Sequence, residues 1–486
     1  MKLKKLIEDL NYKVLNGSLD KEIMHITYDS RKVIEGSMFI CIKGFKFDGH
    51  RFIDDAIERG ATTIVVEDEV LIKTNYNITI IQADNTRKEM ANIANKFYKR
   101  PSYDFNLVGV TGTNGKTTTV YLIEHILKTY GQKVGLIGTI ENHIDSNVEK
   151  ASRTTPESID LQKLFNTMRN CEVDTTVMEV SSHALDLYRV YGSDYDVGVF
   201  TNLSLDHLDY HKTMENYLAA KIKLFKMCKM GIINIDDSVA DKIINEATCE
   251  EIYTYSTENE NAFLFAKNIE LSAQGVSFTL VIEGDSYQVK YSTPGKFSVY
   301  NSLAAIGACY ALNIPIEVII NGLRTVEGVK GRFQTITSSK GYSVIVDYAH
   351  APDGLLNVLK SIREFVKGRI ITVFGCGGDR DKSKRPIMGK IAGEYSDFSI
   401  ITSDNPRTEA PEVIIDEIEA GTRETECPYT KILDRKEAIQ FALTMADKQD
   451  VILIAGKGHE NYQEIGNNKI HFDDIEVVEE FIQGES

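Results

Sequence analysis

A chain of 486 residues is too long for one hydrophobic core and calls for several domains. With 42% hydrophobic and 26% charged residues and no low-complexity tract, it is neither a disordered nor a fibrous protein. Lys and Arg number 55 against 71 Asp and Glu, and the net charge of -16 excludes a nucleic-acid binder that relies on a broad basic surface, so an anionic ligand must meet local cationic pockets.

The start, Met1-Lys-Leu-Lys-Lys-Leu-Ile-Glu-Asp-Leu10, sets charges among its apolar positions, and no run reaches the ~18 apolar residues that span a bilayer; neither a signal peptide nor membrane insertion is expected. Seven scattered cysteines with no Cys-x-x-Cys pair disfavour a disulfide framework or a zinc site and fit a reducing cytoplasm.

Residues 1-100 mix short apolar runs (Met38 to Ile42, Thr62 to Val66, Ile78 to Ile81) with polar turns, which reads as a small α/β domain closed by the linker Lys99-Arg100-Pro101. A second domain, 101-333, opens with the β-like run Asn106 to Val110. A glycine-rich loop follows, then a helix from Thr117 to Tyr130 with apolar residues at Leu122, Ile123, Ile126 and Leu127. Two more buried-strand candidates, Thr175 to Val180 and Asp196 to Thr201, make it a parallel-sheet, P-loop ATPase-like domain.

From 334 to 486 the pattern alternates: strands at Ser343 to Val346, Ile370 to Phe374, Phe398 to Thr402 and Val451 to Ala455, and helices at Pro352 to Val366, Arg385 to Tyr395, Pro411 to Thr422 and Arg435 to Ala446. That is a Rossmann-like third domain with right-handed crossovers. Polar clusters end its strands at Asp347 to His350, Gly375 to Arg380, Asp404 to Arg407 and Gly456 to Glu460. Ligands of open α/β sheets bind at such ends, so these clusters predict one pocket.

The loop Gly109-Val-Thr-Gly-Thr-Asn-Gly-Lys-Thr117 carries the first explicit chemistry. Gly112 and Gly115 let backbone N-H groups turn toward phosphate, with Thr113, Asn114 and Thr118 around them; Lys116 adds a cation for the β/γ phosphates and Thr117 a hydroxyl for Mg²⁺. It departs from the common P-loop in having Val110 at the first glycine position. Phosphate binding alone names no reaction. A P-loop switch that hydrolyses ATP, and a plain sugar-nucleotide-binding module, stay open at this point.

The insertion Thr113-Asn114 before Gly-Lys-Thr resembles the Mur ligase and folylpolyglutamate synthetase superfamily. The resemblance extends through Asp29-Ser-Arg31, Thr154-Thr-Pro-Glu-Ser158, Met178-Glu-Val-Ser-Ser-His-Ala-Leu185, Thr201-Asn-Leu-Ser-Leu-Asp-His207 and Ala219-Ala-Lys221. It continues through Tyr300-Asn-Ser302, Gly331-Arg-Phe333, Val346-Asp-Tyr-Ala-His350, Gly375-Cys-Gly-Gly-Asp-Arg380, Asp404-Asn-Pro-Arg407 and Gly456-Lys-Gly-His-Glu460, and so covers nearly the whole chain.

The resemblance implies amide-bond formation through an acyl phosphate, with ATP as co-substrate and two Mg²⁺ ions. It assigns catalytic and metal-holding roles to Lys116, Thr117, Glu179, His207 and Lys221, the last as a CO₂-derived carbamate. It places adenine and ribose between the second and third domains, at Asn301, Arg332, Asp347 and His350. A UDP-muramoyl dipeptide is assigned to Ser30, Thr154, Thr155, Ser181 and Arg189. Without the resemblance, His207 reads as a solvated loop residue and Lys221 as a surface lysine; Ser30 could be only part of a turn, and for Gly331-Arg332 a linker is the lesser alternative.

Asp404-Asn405-Pro406-Arg407 is similar to the branch of the family that adds meso-diaminopimelate to UDP-N-acetylmuramoyl-L-alanyl-D-glutamate. Diaminopimelate differs from lysine by one carboxylate, so choosing it calls for a fixed cation, and Arg407 is the candidate. Arg380, Gly456 and Glu460 complete the implied pocket: a second guanidinium, a close backbone approach and an ammonium acceptor. Peptidoglycan precursor synthesis by a monomer in the cytoplasm is the expectation; a lysine-adding or folylpolyglutamate-type ligase is the alternative.

Overall fold

The computed structural model describes residues 1-44, 47-69 and 77-484. The chain forms two compact units, Met1–Thr254 with Ala311–Asn313, and Tyr255–Tyr310 with the chain from Ile314 on.

The first unit begins with a five-stranded sheet in the order Tyr12–Asn16, Thr79–Ala83, Ala61–Val66, Ser37–Ile40, His25–Thr27. The first pair is antiparallel and the other pairs are parallel. Alternation puts Met38, Ile40, Val65 and Ile81 against Leu6, Met90 and Ile93 on one face, and Phe39, Ile64 and Val66 against Ile53 and Ala56 on the other. Helix Thr86–Phe97 starts where the Asn85 side chain accepts the Lys88 N-H at 3.0 Å.

A second sheet in this unit has a parallel centre in the order Cys228–Asn234, Tyr195–Phe200, Asn106–Thr111, Thr175–Glu179, Val134–Ile137, extended by the antiparallel Glu141–Ile144 and Asn147–Lys150. These central strands are almost wholly buried because both faces are covered. Register aligns Glu179 with Val110 and Phe200 with Thr111, so three adjacent strands end at one level. Helix Lys116–Thr129 follows the central strand at that edge.

The second unit contains an antiparallel run, Leu264–Ser272, Gly275–Ile282, Asp285–Tyr291, which the sequence reading left without elements. Alternating Val276, Phe278, Leu280 and Ile282, with turns at Gly275 and Gly284 in the left-handed region, carries its signal. Its other sheet has the order Gln334–Thr337, Ser343–Asp347, Val451–Ala455, Ile370–Phe374, Phe398–Ile401, Tyr429–Lys431, all parallel except the first pair. The strands predicted at Ile370 to Phe374 and Val451 to Ala455 and the helix at Pro411 to Thr422 have those bounds. A hairpin, Tyr462–Ile465 with Asn468–His471, follows the last of these strands and was not foreseen.

Candidate active site

The glycine-rich loop lies between strand Asn106–Thr111 and helix Lys116–Thr129. A Cβ on Gly112 would stand 1.8 Å from Thr201 Oγ1, so only glycine fits there. Gly115 starts the helix at φ 84°. Asn114 is tethered through its carbonyl, which accepts from Thr201 Oγ1 at 2.7 Å and from Asn202 Nδ2 at 3.1 Å. Lys116 Nζ donates to the carbonyls of Gly112 and Thr113 at 2.9 and 2.8 Å. Thr118 is buried in the first helical turn.

Glu179 closes its strand with a buried carboxylate one strand away from the loop. Thr117 Oγ1 donates to its Oε2 at 3.0 Å, while Thr139 supplies its N-H to Oε1 at 2.7 Å and its hydroxyl to Oε2 at 3.2 Å. Thr139 lies in the turn after strand Val134–Ile137 and carries no motif that sequence reading could single out.

Lys221 sits in helix Met214–Phe225, whose start is capped by Thr213. Its ammonium is buried 4.4 Å from the centre of the Tyr217 ring, with no carboxylate at ion-pair distance among the described residues. Burial pushes its pKa well below the ordinary lysine value, and the neighbouring Lys116 charge adds to the effect. The surface-lysine reading is thereby excluded. Tyr217 also bonds Thr113 (3.1 Å between hydroxyls) and stands edge-on to His207, with ring centres 5.9 Å apart. His207, half-exposed at φ 53°, has its pKa lowered by burial, with Lys116 and Lys221 adding to this against Asp206. The structure thus gathers Lys116, Thr117, Glu179, His207 and Lys221.

Beside this group, Thr154 Oγ1 lies 3.0 Å from Thr139 Oγ1. Thr155 Oγ1 donates to the Glu179 carbonyl at 2.9 Å and accepts the Ser181 N-H at 3.1 Å. Ser181 also caps the short helix after Glu179. The Arg189 guanidinium donates to the Thr155 carbonyl at 3.2 Å and pairs with Glu157 at 2.9 Å. Arg87, from the first sheet's region, reaches the same Glu157 at 3.2 Å and was missed because its partner is 70 residues away. Ser30 stands apart from these four residues. It is buried in the turn Ser30–Lys32 against Asp55, two residues beyond Tyr28, whose hydroxyl donates to Asp160 at 2.5 Å.

In the second unit, Asp347 accepts the N-H groups of Phe333 and Ala349, both at 2.8 Å, and burial raises its pKa despite these bonds and the Arg332 charge. The Arg332 guanidinium lies 5.1 Å from the Tyr348 ring centre, and the His350 ring 4.6 Å from the same ring. Asn301 is buried in helix Lys296–Ala311 without a hydrogen bond to these groups among the described residues.

Asp404, Asn405, Pro406 and Arg407 turn sharply after strand Phe398–Ile401. Asp404 and Asn405 are buried, and Arg407 adopts φ 52°. Asn405 donates to Glu460 Oε2 at 2.9 Å and accepts from Lys457 Nζ at 3.2 Å and from the Glu464 N-H at 2.9 Å. Lys457 is wholly buried and pairs with Glu460 at 3.2 Å; neither this clamp nor Glu464 was read from the sequence. Arg407 Nε donates to Glu464 Oε2 at 2.9 Å and Nη1 to the Gly378 carbonyl at 2.8 Å. A Cβ on Gly456 would meet Asp404 Oδ2 at 2.8 Å, and one on Gly377 would meet Arg407 Nη1 at 3.0 Å and Arg380 Cγ at 3.8 Å. Arg380 is exposed beside them. Close approaches thus join Asp404 with Gly456 and Asn405 with Glu460, and bring Arg407 and Arg380 to the Gly377-Gly378 segment; no helix in the described residues is long and apolar enough to cross a membrane.

Comparison with known proteins matches three successive models: the Mur ligase family catalytic domain over residues 22–102, the Mur ligase middle domain over 110–309, and the Mur ligase glutamate ligase domain over 331–458. The chain is 49% identical over 485 residues to UDP-N-acetylmuramoyl-L-alanyl-D-glutamate--2,6-diaminopimelate ligase 1 of Clostridium acetobutylicum, covering 99% of each. It is 50% identical over 483 residues to the ligase of that name from Clostridioides difficile, again covering 99% of each. A solved structure of such a diaminopimelate ligase superposes with a TM-score of 0.76 at 32% identity, over 100% of this chain and 99% of the other. With three ordered domain matches, full-length relatives and a phosphate loop set beside a buried carboxylate, the chain belongs to the Mur ligase family, whose members are ATP-dependent amide ligases.

Proposed function

We propose that the chain joins meso-diaminopimelate to UDP-N-acetylmuramoyl-L-alanyl-D-glutamate, with ATP converted to ADP and phosphate, in peptidoglycan precursor synthesis by a monomer in the cytoplasm. The observation that carries the choice of amino acid is Arg407, anchored through Nε and Nη1, with three of its five N-H groups unclaimed by protein acceptors among the described residues and Glu460 and Asp404 nearby. A cation fixed beside carboxylates matches a zwitterion that carries one carboxylate more than lysine. The close relatives bear the same activity in their names. The domains are placed at 1-100, 101-333 and 334-486; the order of the three family matches, over 22–102, 110–309 and 331–458, supports this division.

The reaction needs a carboxylate turned into an electrophile. Its oxygen attacks the γ-phosphorus of ATP, ADP leaves, and the acyl phosphate then loses phosphate to the incoming amine, which sheds a proton as the amide forms. Gly112, Thr113, Asn114, Gly115, Lys116 and Thr118 would hold the phosphates, with Lys116 opposing the charge that gathers in transfer. Asn301, Arg332, Asp347 and His350 would take adenine and ribose. Ser30, Thr154, Thr155, Ser181 and Arg189 would hold the UDP-muramoyl dipeptide. Arg380, Asp404, Asn405, Pro406, Arg407, Gly456 and Glu460 would hold diaminopimelate.

Two Mg²⁺ ions fit the donor set of the first unit. The oxygens of Thr117 and Glu179 are hard ligands already held at 3.0 Å from one another, and Tyr217 neighbours both His207, edge-on at 5.9 Å, and Lys221, over its ring at 4.4 Å. When bound, Mg²⁺ supplies charge neutralisation at the phosphates. Lys221 suits a carbamate: a buried lysine with lowered pKa presents the neutral amine that CO₂ requires, and the product places an anion beside Lys116.

The test incubates the chain with ATP, Mg²⁺, the UDP-muramoyl dipeptide and either meso-diaminopimelate or L-lysine, with products identified by mass. The expected outcome is the diaminopimelate-containing UDP-tripeptide with equimolar ADP. Preferential addition of lysine, or phosphate release that needs neither the dipeptide nor an amino acid, would overturn the reading.

A further inference from the structure

We propose that Glu464 is a specificity-positioning residue, which aims the Arg407 guanidinium at the distal carboxylate of the amino-acid substrate through the hairpin Tyr462–Ile465 and Asn468–His471. The inference rests on the diaminopimelate reading above and adds to it a residue outside the pocket motifs.

Arg407 is held by this hairpin at three points. Its N-H donates to the Glu464 carbonyl at 3.0 Å, its own carbonyl accepts from Gly466 N at 2.7 Å, and its Nε donates to Glu464 Oε2 at 2.9 Å. The first two bonds sustain a left-handed backbone, φ 52°, that a bulky side chain disfavours. That backbone turns the side chain back across the Gly377-Gly378 segment, where Nη1 meets the Gly378 carbonyl.

The third bond sets the aim. A guanidinium is planar, so anchoring Nε on Glu464 and one Nη1 hydrogen on Gly378 fixes the plane and leaves three N-H groups in a known direction. A mobile arginine would pay rotamer entropy on each capture of a carboxylate; a preset one does not. The hairpin is itself tied to the pocket. Gln463 Nε2 donates to the Asp404 carbonyl at 2.6 Å, and the Glu464 N-H donates to Asn405 Oδ1 at 2.9 Å. Asn405 in turn holds Glu460. The two ends of the zwitterion pocket therefore share one scaffold. The Glu464 side chain is about one-third exposed, so its ion pair adds little to folding and its placement is better explained by the arginine it orients.

The experiment measures steady-state ligation by the wild-type chain, Glu464→Ala and Glu464→Gln, varying meso-diaminopimelate, ATP and the UDP-muramoyl dipeptide in turn. For Glu464→Ala we expect KM for meso-diaminopimelate to rise about tenfold, the scale of one charge-assisted hydrogen bond, with kcat within about threefold and the other two KM values unchanged. Glu464→Gln, whose amide oxygen still accepts from Nε, should recover to within about threefold of wild type. An unchanged KM for meso-diaminopimelate in Glu464→Ala, equal rises for all three substrates, or a Gln variant no better than Ala would overturn the inference. Should the Ala chain not fold, Glu464→Leu, which keeps the bulk but removes the acceptor, decides: a selective rise in KM for meso-diaminopimelate supports the inference and an unchanged KM overturns it. Wild-type chain that ligates lysine or nothing overturns the underlying reading and this inference together, whereas wild-type preference for meso-diaminopimelate with an indifferent Glu464→Ala defeats the inference alone.

Discussion

Thr117 Oγ1 and Glu179 Oε2 stand 3.0 Å apart, joining the first turn of the helix after the phosphate loop to the end of the neighbouring parallel strand. The register that pairs Glu179 with Val110 makes this possible, because it brings the strand end level with the loop. A hydroxyl and a carboxylate are thereby preorganised on the side where phosphate would sit.

Glu179→Gln should lose at least about a hundredfold in kcat/KM while melting close to wild type, since the amide oxygen can still accept the Thr139 N-H and the amide NH₂ can donate to the Thr117 and Thr139 hydroxyls, while the charge is gone. ADP formation and a circular-dichroism melt check the two halves. A variant that keeps near-wild-type turnover would remove Glu179 from the metal-holding set.

Lys221 should take up labelled CO₂. In ¹³C-bicarbonate the wild-type chain should give a carbamate carbonyl resonance that is absent from Lys221→Arg, whose guanidinium stays protonated and cannot react. Identical spectra from the two chains would leave Lys221 as an unmodified buried amine.

Arg407→Ala should raise KM for meso-diaminopimelate by about tenfold to a hundredfold, the cost of losing a charge-assisted carboxylate contact, and leave KM for ATP unchanged. Steady-state kinetics with each substrate varied separately distinguish this from a general loss of structure.

Glu409 should make a pH-dependent contribution to stability. Its hydrogen bonds from the buried Arg385 guanidinium, both at 3.0 Å, hold its pKa down at about 2. The folded value lies below that of the unfolded chain, about 4.3, so the contribution is complete above that value and fades as pH falls toward about 2. Glu409→Gln should therefore melt a few degrees below wild type at pH 7, with the gap closing below pH ~4. A gap that does not depend on pH, followed calorimetrically, would assign the loss to packing.

Much of the third-domain pattern was legible because each strand is a continuous apolar run buried on both faces, bounded by polar strand ends, as at Ile370–Phe374 and Val451–Ala455. The antiparallel strands from Leu264 to Tyr291 are harder to read: one-sided alternation over seven to nine residues is a fainter signal, and their turns lack the common Asn-Gly form. Lys221 shows the same limit at the level of a site. Its helix was unremarkable in sequence, and its burial over Tyr217 depends on what packs around that helix.

By itself, the sequence determined the contiguous features: the phosphate loop, the strand ends with their polar clusters, and the family they resemble. Such features depend on neighbours a few residues away, through glycine's steric freedom and the periodicity of burial. Only the tertiary structure decided which distant groups complete them: Thr139 on Glu179, Arg87 on Glu157, Glu464 on Arg407. A hydrogen bond across 57 residues leaves no local pattern, and the direction of a guanidinium or the pKa of an amine depends on the dielectric and partners that packing supplies.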